Sequence, residues 1–180
     1  MAAMNPRHFR LHLAVALVAL LLIGAAGPAA AQGSSFTYLN VAGSSFVPRG
    51  NTSAPVYQSG GCISRASLGD FIVYPLQLPT GSQIKYVRAY YRDTSTADLT
   101  IAMTRYDGIG SFFDEVLFTN AGASAGFGST LSPETSVVVD NLNQARQLLV
   151  NFGEASTALQ FCGIRVAYFS DVIFRNGFQN

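Results

Sequence analysis

The chain has no tryptophan, two histidines, one lysine and two cysteines in 180 residues, and Asp, Glu, Lys and Arg together supply only 12% of it. Each scarcity removes a class of chemistry. Both histidines, His8 and His12, fall in the first dozen residues, inside a segment read below as removable. Without them there is no Ser-His-Asp or Cys-His machinery and no His-ligated zinc, copper or iron. No remaining side chain has an unperturbed pKa between 5 and 8. Schiff-base chemistry has one candidate, Lys85, with no second lysine to depress its pKa. No G-x-x-x-x-G-K-[ST] phosphate loop occurs. Low charge argues against an electrostatic nucleic-acid binder, and 12% aromatics argue against a disordered chain.

Residues 1–31 read as a signal peptide with a helical core. Arg7, His8, Arg10 and His12 form its basic end, and the apolar run from Leu13 to Ile23 is uncharged. Eleven residues are too few to span a bilayer core, which takes about 20. Gly27-Pro28 breaks the helix, and Ala29-Ala30-Ala31 supplies the small residues a signal peptidase requires. Cleavage is expected between Ala31 and Gln32, with no stable membrane span afterwards. The Ala-rich cleavage region has a bacterial look. The mature chain then carries nine basic and ten acidic residues, a net charge of −1. Its localisation is expected to be secreted or periplasmic.

What the chain does have is two cysteines, Cys62 and Cys162. An even count in an exported protein predicts a disulfide. Their spacing excludes a catalytic C-x-x-C.

Gly, Pro, Ser, Asn and Asp punctuate the mature chain at short intervals, as in all-β proteins. Gln83–Arg92 alternates Val87, Ala89 and Tyr91 against Tyr86, Arg88, Tyr90 and Arg92. Leu99–Arg105 alternates Leu99, Ile101 and Met103 against Thr100, Ala102 and Thr104. Both patterns predict half-buried antiparallel strands. Further strands are expected at Phe36–Val41, Val56–Gln58, Cys62–Ala66, Phe71–Leu78, Phe112–Thr119 and Leu159–Phe169. In Leu159–Phe169, Cys162 is expected to share a face with Ile164, Val166 and Tyr168. Ala145–Phe152 carries both helical and strand spacing and is read as a strand, because Gly153 follows it. Asn120–Ser136 reads as a long supple loop, with Gly126-Phe127-Gly128 as a flexible stretch within it. The expected fold is all-β: an antiparallel two-sheet sandwich, jelly-roll-like, over residues 32–170, with a tail at 171–180. A jelly roll places its terminal strands side by side, as a Cys62–Cys162 bridge requires. An immunoglobulin-like sandwich fits less well, with no tryptophan to pack on the disulfide.

Gly61-Cys62-Ile63, Leu78-Pro79-Thr80-Gly81-Ser82-Gln83-Ile84, Tyr90-Tyr91-Arg92-Asp93-Thr94-Ser95, Leu99-Thr100-Ile101, Val139-Asp140-Asn141 and Gly163-Ile164-Arg165-Val166-Ala167-Tyr168 resemble a group of uncharacterised bacterial exported domains. The resemblance implies a β-sandwich and export, and brings no activity or catalytic residue. The tail, Val172-Ile173-Phe174-Arg175-Asn176-Gly177-Phe178-Gln179, is similar to the I-F-x-x-G-F-E ending of gammaproteobacterial exported proteins, with Gln179 in place of the acid.

The candidate binding face is Tyr86, Arg88, Tyr90 and Arg92. Aromatics interleaved with arginines stack sugars or anchor a protein partner, and the same row also reads as ordinary cross-strand pairing. Asp93 and Asp98 flank a turn, where oxygen ligation of Ca²⁺ competes with plain turn chemistry. No metal site, catalytic residue or cofactor is expected. Asp114-Glu115 is an adjacent acidic pair whose members point to opposite faces of a strand. The chain is therefore expected to be an exported non-catalytic binding or structural module for a carbohydrate or a cell-envelope or protein partner, with self-association left open. The competing expectation is a carboxylate-dependent carbohydrate-active enzyme, a glycosidase or lyase, which needs two acids in one cleft.

Overall fold

A computed structural model describes residues 35–50, 54–120, 122–123 and 126–170. The expected signal segment 1–31, the tripeptide Asn51-Thr52-Ser53, whose pattern is that of an N-glycosylation acceptor, and the expected tail 171–180 lie outside the described residues. Twelve strands follow in chain order. They are β1 (Thr37–Ala42), β2 (Val47–Pro48), β3 (Pro55–Tyr57), β4 (Ile63–Arg65), β5 (Ile72–Pro75), β6 (Gln83–Asp93), β7 (Leu99–Asp107), β8 (Phe112–Thr119), β9 (Gly126–Leu131), β10 (Val137–Val138), β11 (Gln144–Phe152) and β12 (Leu159–Phe169). Two short 3₁₀ turns complete the described elements, and no α-helix occurs among them.

The strands form two antiparallel sheets. In the first, β6 and β12 lie side by side at the centre. Both β9 and β10 pair along the free side of β6, both β1 and β4 pair along β12, and β3 lies outside β4. The second sheet runs β2-β5-β11-β7-β8. From β4 onward the chain changes sheet at each step, except at the β7–β8 hairpin and the β9–β10 passage. That path is a jelly roll, as expected, and its first and last strands, β4 and β12, are neighbours.

Period-2 alternation builds the core. Ile84, Val87, Ala89 and Tyr91 of β6 and Phe161, Ile164 and Val166 of β12 meet Leu99, Ile101 and Met103 of β7 and Leu148, Val150 and Phe152 of β11. Each large side chain removed from water contributes about 1.5–3 kcal/mol. The ambiguous segment at Ala145 is thus a central strand: pairing with β5 on one side and β7 on the other settles it as β structure.

Cys62 and Cys162 form the expected disulfide, with sequence separation 100. Ile63 pairs with Phe161, so the bridge joins adjacent strands of the first sheet.

Two expectations are corrected. Asn120–Ser136 is not wholly a loop, because its glycine-rich Gly126–Leu131 portion is β9, paired residue for residue with Asp93–Arg88. A glycine is required at 128, because a Cβ there would lie 2.9 Å from the Tyr91 ring. Gly126-Phe127-Gly128 is therefore strand rather than flexible loop. Cys162 does not share the face of Ile164, Val166 and Tyr168. A bulge pairs Phe161 with Tyr91 but Gly163 with Tyr90, so Cys162 is the extra residue, and Phe161 and Ile164 both reach the core.

Candidate functional site

Four of β6's outward positions and their neighbours define one surface. Tyr86, Arg88, Tyr90 and Arg92 all point away from the core and are half-buried. The register then adds residues that sequence reasoning left apart. Ala167 lies beside Tyr86 and Tyr38 beside Ala167; Arg165 lies beside Arg88 and Asn40 beside Arg165. On the other flank, Leu131 pairs with Arg88, Ser129 with Tyr90 and Phe127 with Arg92. Phe36 closes the corner. Its ring stacks on Phe169 at 4.6 Å and meets Tyr86 edge-on at 5.9 Å. Between these groups lies a shallow depression of about 140 Å³, lined by Phe36, Tyr38, Tyr86, Arg88, Leu131 and Arg165.

The arginines of this face are arranged around rings. The Arg165 guanidinium is 5.0 Å from the Tyr38 ring centroid and 5.9 Å from that of Tyr90, within the range of cation–π attraction. Arg88 donates from Nη1 to Ser129 Oγ at 2.9 Å. At the edge, Lys85 Nζ lies 3.2 Å from Glu134 Oε1, and the Tyr86 hydroxyl donates to Glu134 Oε2 at 3.1 Å. These two donors, Lys85 first, hold the Glu134 carboxyl below the usual range, and the bond to Glu134 raises the Tyr86 phenol.

The outer face of the second sheet holds a different depression, of about 200 Å³. Its floor includes Ala102 and Leu149, which with Val73 form a small apolar cluster apart from the main core, with Phe71 packed against it. Phe112, Tyr106, Thr104, Asp114 and Arg49 stand around it. Sequence reasoning missed this site because Arg49 comes from a turn. The available signal was Phe71 and Phe112, large apolar residues at the starts of predicted strands. The polar groups of this site are already joined: Arg49 Nη2 binds Asp70 Oδ1 at 2.6 Å, Arg49 lies 4.8 Å over the Phe71 ring, and Thr104 donates to Asp114.

A third hollow brings Glu115 and Glu134 to one lining. Paired acids in a cleft would favour a glycosidase, in which one carboxyl is kept protonated by a raised pKa. Glu134 is shifted the opposite way. Glu115 is bound at 2.8 Å by Arg146 Nε, both side chains being buried, and Arg146 also donates to the Val138 carbonyl. That pair closes one end of the space between the sheets. Asp114 and Glu115 do diverge: Asp114 accepts from Thr104 while Glu115 turns to Arg146.

Asp93 is fully buried. It accepts from the Ser95 amide at 2.8 Å and from Asn120 Nδ2. Asp98 accepts from the Gly122 amide. These carboxylates perform turn chemistry, and among the described residues no three His, Cys, Asp or Glu side chains gather as metal ligands. Gly122-Ala123-Ser124-Ala125-Gly126 spells G-x-S-x-G, which corrects a reading of the sequence as holding no such string after residue 31. A nucleophile elbow joins a strand to a helix, whereas this string leads into β9, and no histidine occurs from residue 32 onward. Ser124 itself lies outside the described residues.

No family model and no curated protein matches the chain. Among solved structures it is similar to the CBM36-1 domain of a multidomain xylanase from the hindgut metagenome of Trinervitermes trinervoides. Identity is 13%, coverage 72% of this chain and 96% of that one, and TM-score 0.44. It is also similar to a carbohydrate-binding module CBM36 in complex with calcium and xylotriose, at 8% identity, 72% and 98% coverage and TM-score 0.43. A third is the Clostridium thermocellum xylanase 10B CBM22-1–GH10 modules complexed with xylohexaose, at 12% identity, 76% and 28% coverage and TM-score 0.46. At such identities and TM-scores these likenesses assign no ligand to this chain, and its surfaces are read from their own side chains.

Proposed function

We propose that this chain is an exported, non-catalytic binding module that holds a carbohydrate on the outer face of its first sheet. One observation carries the reading: Phe36 and Tyr38 at the start of β1 converge with Tyr86 and Arg88 of β6 and Arg165 of β12 around one shallow depression, with the Tyr90 ring next to Arg165. A sugar ring offers an apolar C–H face to an aromatic ring and a rim of hydroxyls to neighbouring donors and acceptors. Half-exposed tyrosines beside arginines on a rigid sheet meet both demands without reorganisation. The lowered pKa of Glu134 and the buried pairing of Glu115 weigh against the glycosidase alternative.

Export rests on residues 1–31 and on the disulfide, since such bridges persist in oxidising compartments. The domain is read as 32–170 with the tail at 171–180. N-terminal sequencing of exported protein should begin at Gln32, and a chain retaining Met1–Ile23 would refute the cleavage.

Binding is tested by affinity electrophoresis against a panel of polysaccharides. Tyr90→Ala and Tyr38→Ala should each weaken the interaction by about 1 kcal/mol or more, the range for losing an interface anchor, with thermal melting unchanged within a few degrees. Undiminished binding in the Tyr38→Ala/Tyr90→Ala double variant would discard this face. Hydrolysis of any glycan, abolished by Glu134→Gln, would overturn the non-catalytic reading.

A further inference from the structure

The distribution of charge on the first sheet bears on which sugar it takes. Eight described residues are lysine or arginine: Arg49, Arg65, Lys85, Arg88, Arg92, Arg105, Arg146 and Arg165. Half of them, Lys85, Arg88, Arg92 and Arg165, lie on the outer face of the first sheet or at its edge. Of the acids, that face carries Glu134 alone, and Lys85 and Tyr86 already hold it. The ion pairs among the described residues are Arg49–Asp70, Lys85–Glu134 and Arg146–Glu115. Arg88, Arg92 and Arg165 therefore stand on the aromatic face with no carboxylate of the described residues against them, in a mature chain whose net charge is −1.

We infer that the ligand of this face is an acidic polysaccharide, one whose sugars carry a carboxylate, and the inference rests on the carbohydrate reading above. A run of uncompensated arginines raises the local concentration of anions, and a guanidinium takes a carboxylate through two parallel N–H···O bonds. Arg165 narrows the choice. Its guanidinium sits between the Tyr38 and Tyr90 rings, 5.0 and 5.9 Å from their centroids. A residue that lays a saturated ring on a tyrosine and presents a carboxylate a few ångströms away matches that spacing, and a uronate sugar is such a residue. Arg88 and Arg92 continue the cations along β6, four residues apart with Tyr90 between them, Arg88 donating to Ser129 and Arg92 lying opposite Phe127 of β9. This arrangement suits an anionic linear chain better than a single small anion.

The experiment compares polygalacturonate with the same polymer fully methyl-esterified, which keeps the rings and removes the charge. Alginate serves as a second uronate and poly-glutamate as a polyanion without sugar rings. Binding of the purified protein is expected to be at least tenfold tighter to one of the acidic glycans than to the ester or to poly-glutamate, and to weaken as salt rises from 50 to 500 mM. Arg165→Gln should cost about tenfold for the acidic glycan and leave the ester unaffected. Arg92→Gln, whose side chain makes no hydrogen bond or ion pair among the described residues, should cost less without disturbing the fold. Equal affinity for acid and ester, sensitive to Tyr90→Ala, would overturn the acidic specificity while leaving a carbohydrate module. Tightest binding to poly-glutamate would assign the face to an acidic protein and overturn the inference. Failure to bind any polysaccharide in the wider panel would remove the carbohydrate reading with it.

Discussion

The two outer faces of this sandwich are built from similar residue types and differ in how far those residues satisfy one another. On the second sheet, Arg49 is committed to Asp70 and stacked over Phe71, and Thr104 is committed to Asp114, around an apolar floor of Ala102 and Leu149. On the first sheet, Arg88, Arg92 and Arg165 have hydroxyls and rings for company and no carboxylate among the described residues. The second depression is the larger, about 200 against 140 Å³. Size and chemical readiness thus point to different faces. Readiness is the better guide to a polar ligand, because an arginine with an internal partner must give it up before binding.

That contrast can be broken at several levels. The disulfide staples only the first sheet. Replacing both cysteines with serine should have the largest effect, up to about 4.7 kcal/mol in the chain-entropy account of a 100-residue loop. The urea midpoint reports it, and hydrogen exchange should accelerate in β1 and β4 before β7 and β11. Gly163 comes next. Its φ is +154°, and a Cβ there would lie 2.5 Å from the Val41 carbonyl oxygen of β1. Gly163→Val should cost about 3 kcal/mol from strain and overpacking, and should detach Phe36 and Tyr38 from the first face while the second face keeps its structure. Near-ultraviolet circular dichroism and glycan binding would register the loss together.

Smaller effects sharpen the contrast from the other side. Phe112→Ala, on the second face, should leave binding at the first within about 0.3 kcal/mol, as expected of distant independent sites. The Arg49–Asp70 pair is partly exposed and contributes below about 1 kcal/mol. The hydrogen bond from Arg49 holds the Asp70 carboxyl below the usual range. Its contribution is therefore complete above about pH 5, where the unfolded carboxyl is ionised, and is lost as pH falls through the lower folded value. Arg49→Ala should flatten the acid limb of the stability profile slightly and change nothing at pH 7 beyond that fraction of a kilocalorie.

Local alternation made β6 and β7 legible, because each buries one face and leaves the other outside. Cysteine number made the bridge legible, and the bridge pointed to the jelly roll. What escaped reading was non-local. Gly126–Leu131 has the composition of a loop and becomes a strand only because β6 offers it a partner and Tyr91 requires a glycine beside its ring. The bulge at Cys162 cannot be seen from period-2 spacing, which it interrupts. The candidate face showed its central row, Tyr86, Arg88, Tyr90 and Arg92, but not its flanks. Arg165 joins it by pairing with Arg88, 77 residues away in the chain, and Tyr38 by pairing with Ala167, 129 residues away, with Phe36 beside it. The second depression was hidden for the same reason, with Arg49 arriving from a turn to cover a strand surface.

The bond between Cys62 and Cys162 turns residues 62–162 into a covalent ring. A protease that cuts once inside that ring, at Arg105 for instance, separates nothing, since both pieces stay tethered through sulfur. A cut at Arg49 is different. It frees the stretch that carries Phe36 and Tyr38, which is held to β12 by backbone hydrogen bonds and packing alone. The aromatic corner that Phe36 and Tyr38 form is therefore a portion that one scission can strip away, leaving Arg88, Arg92 and Arg165 on the body of the sheet.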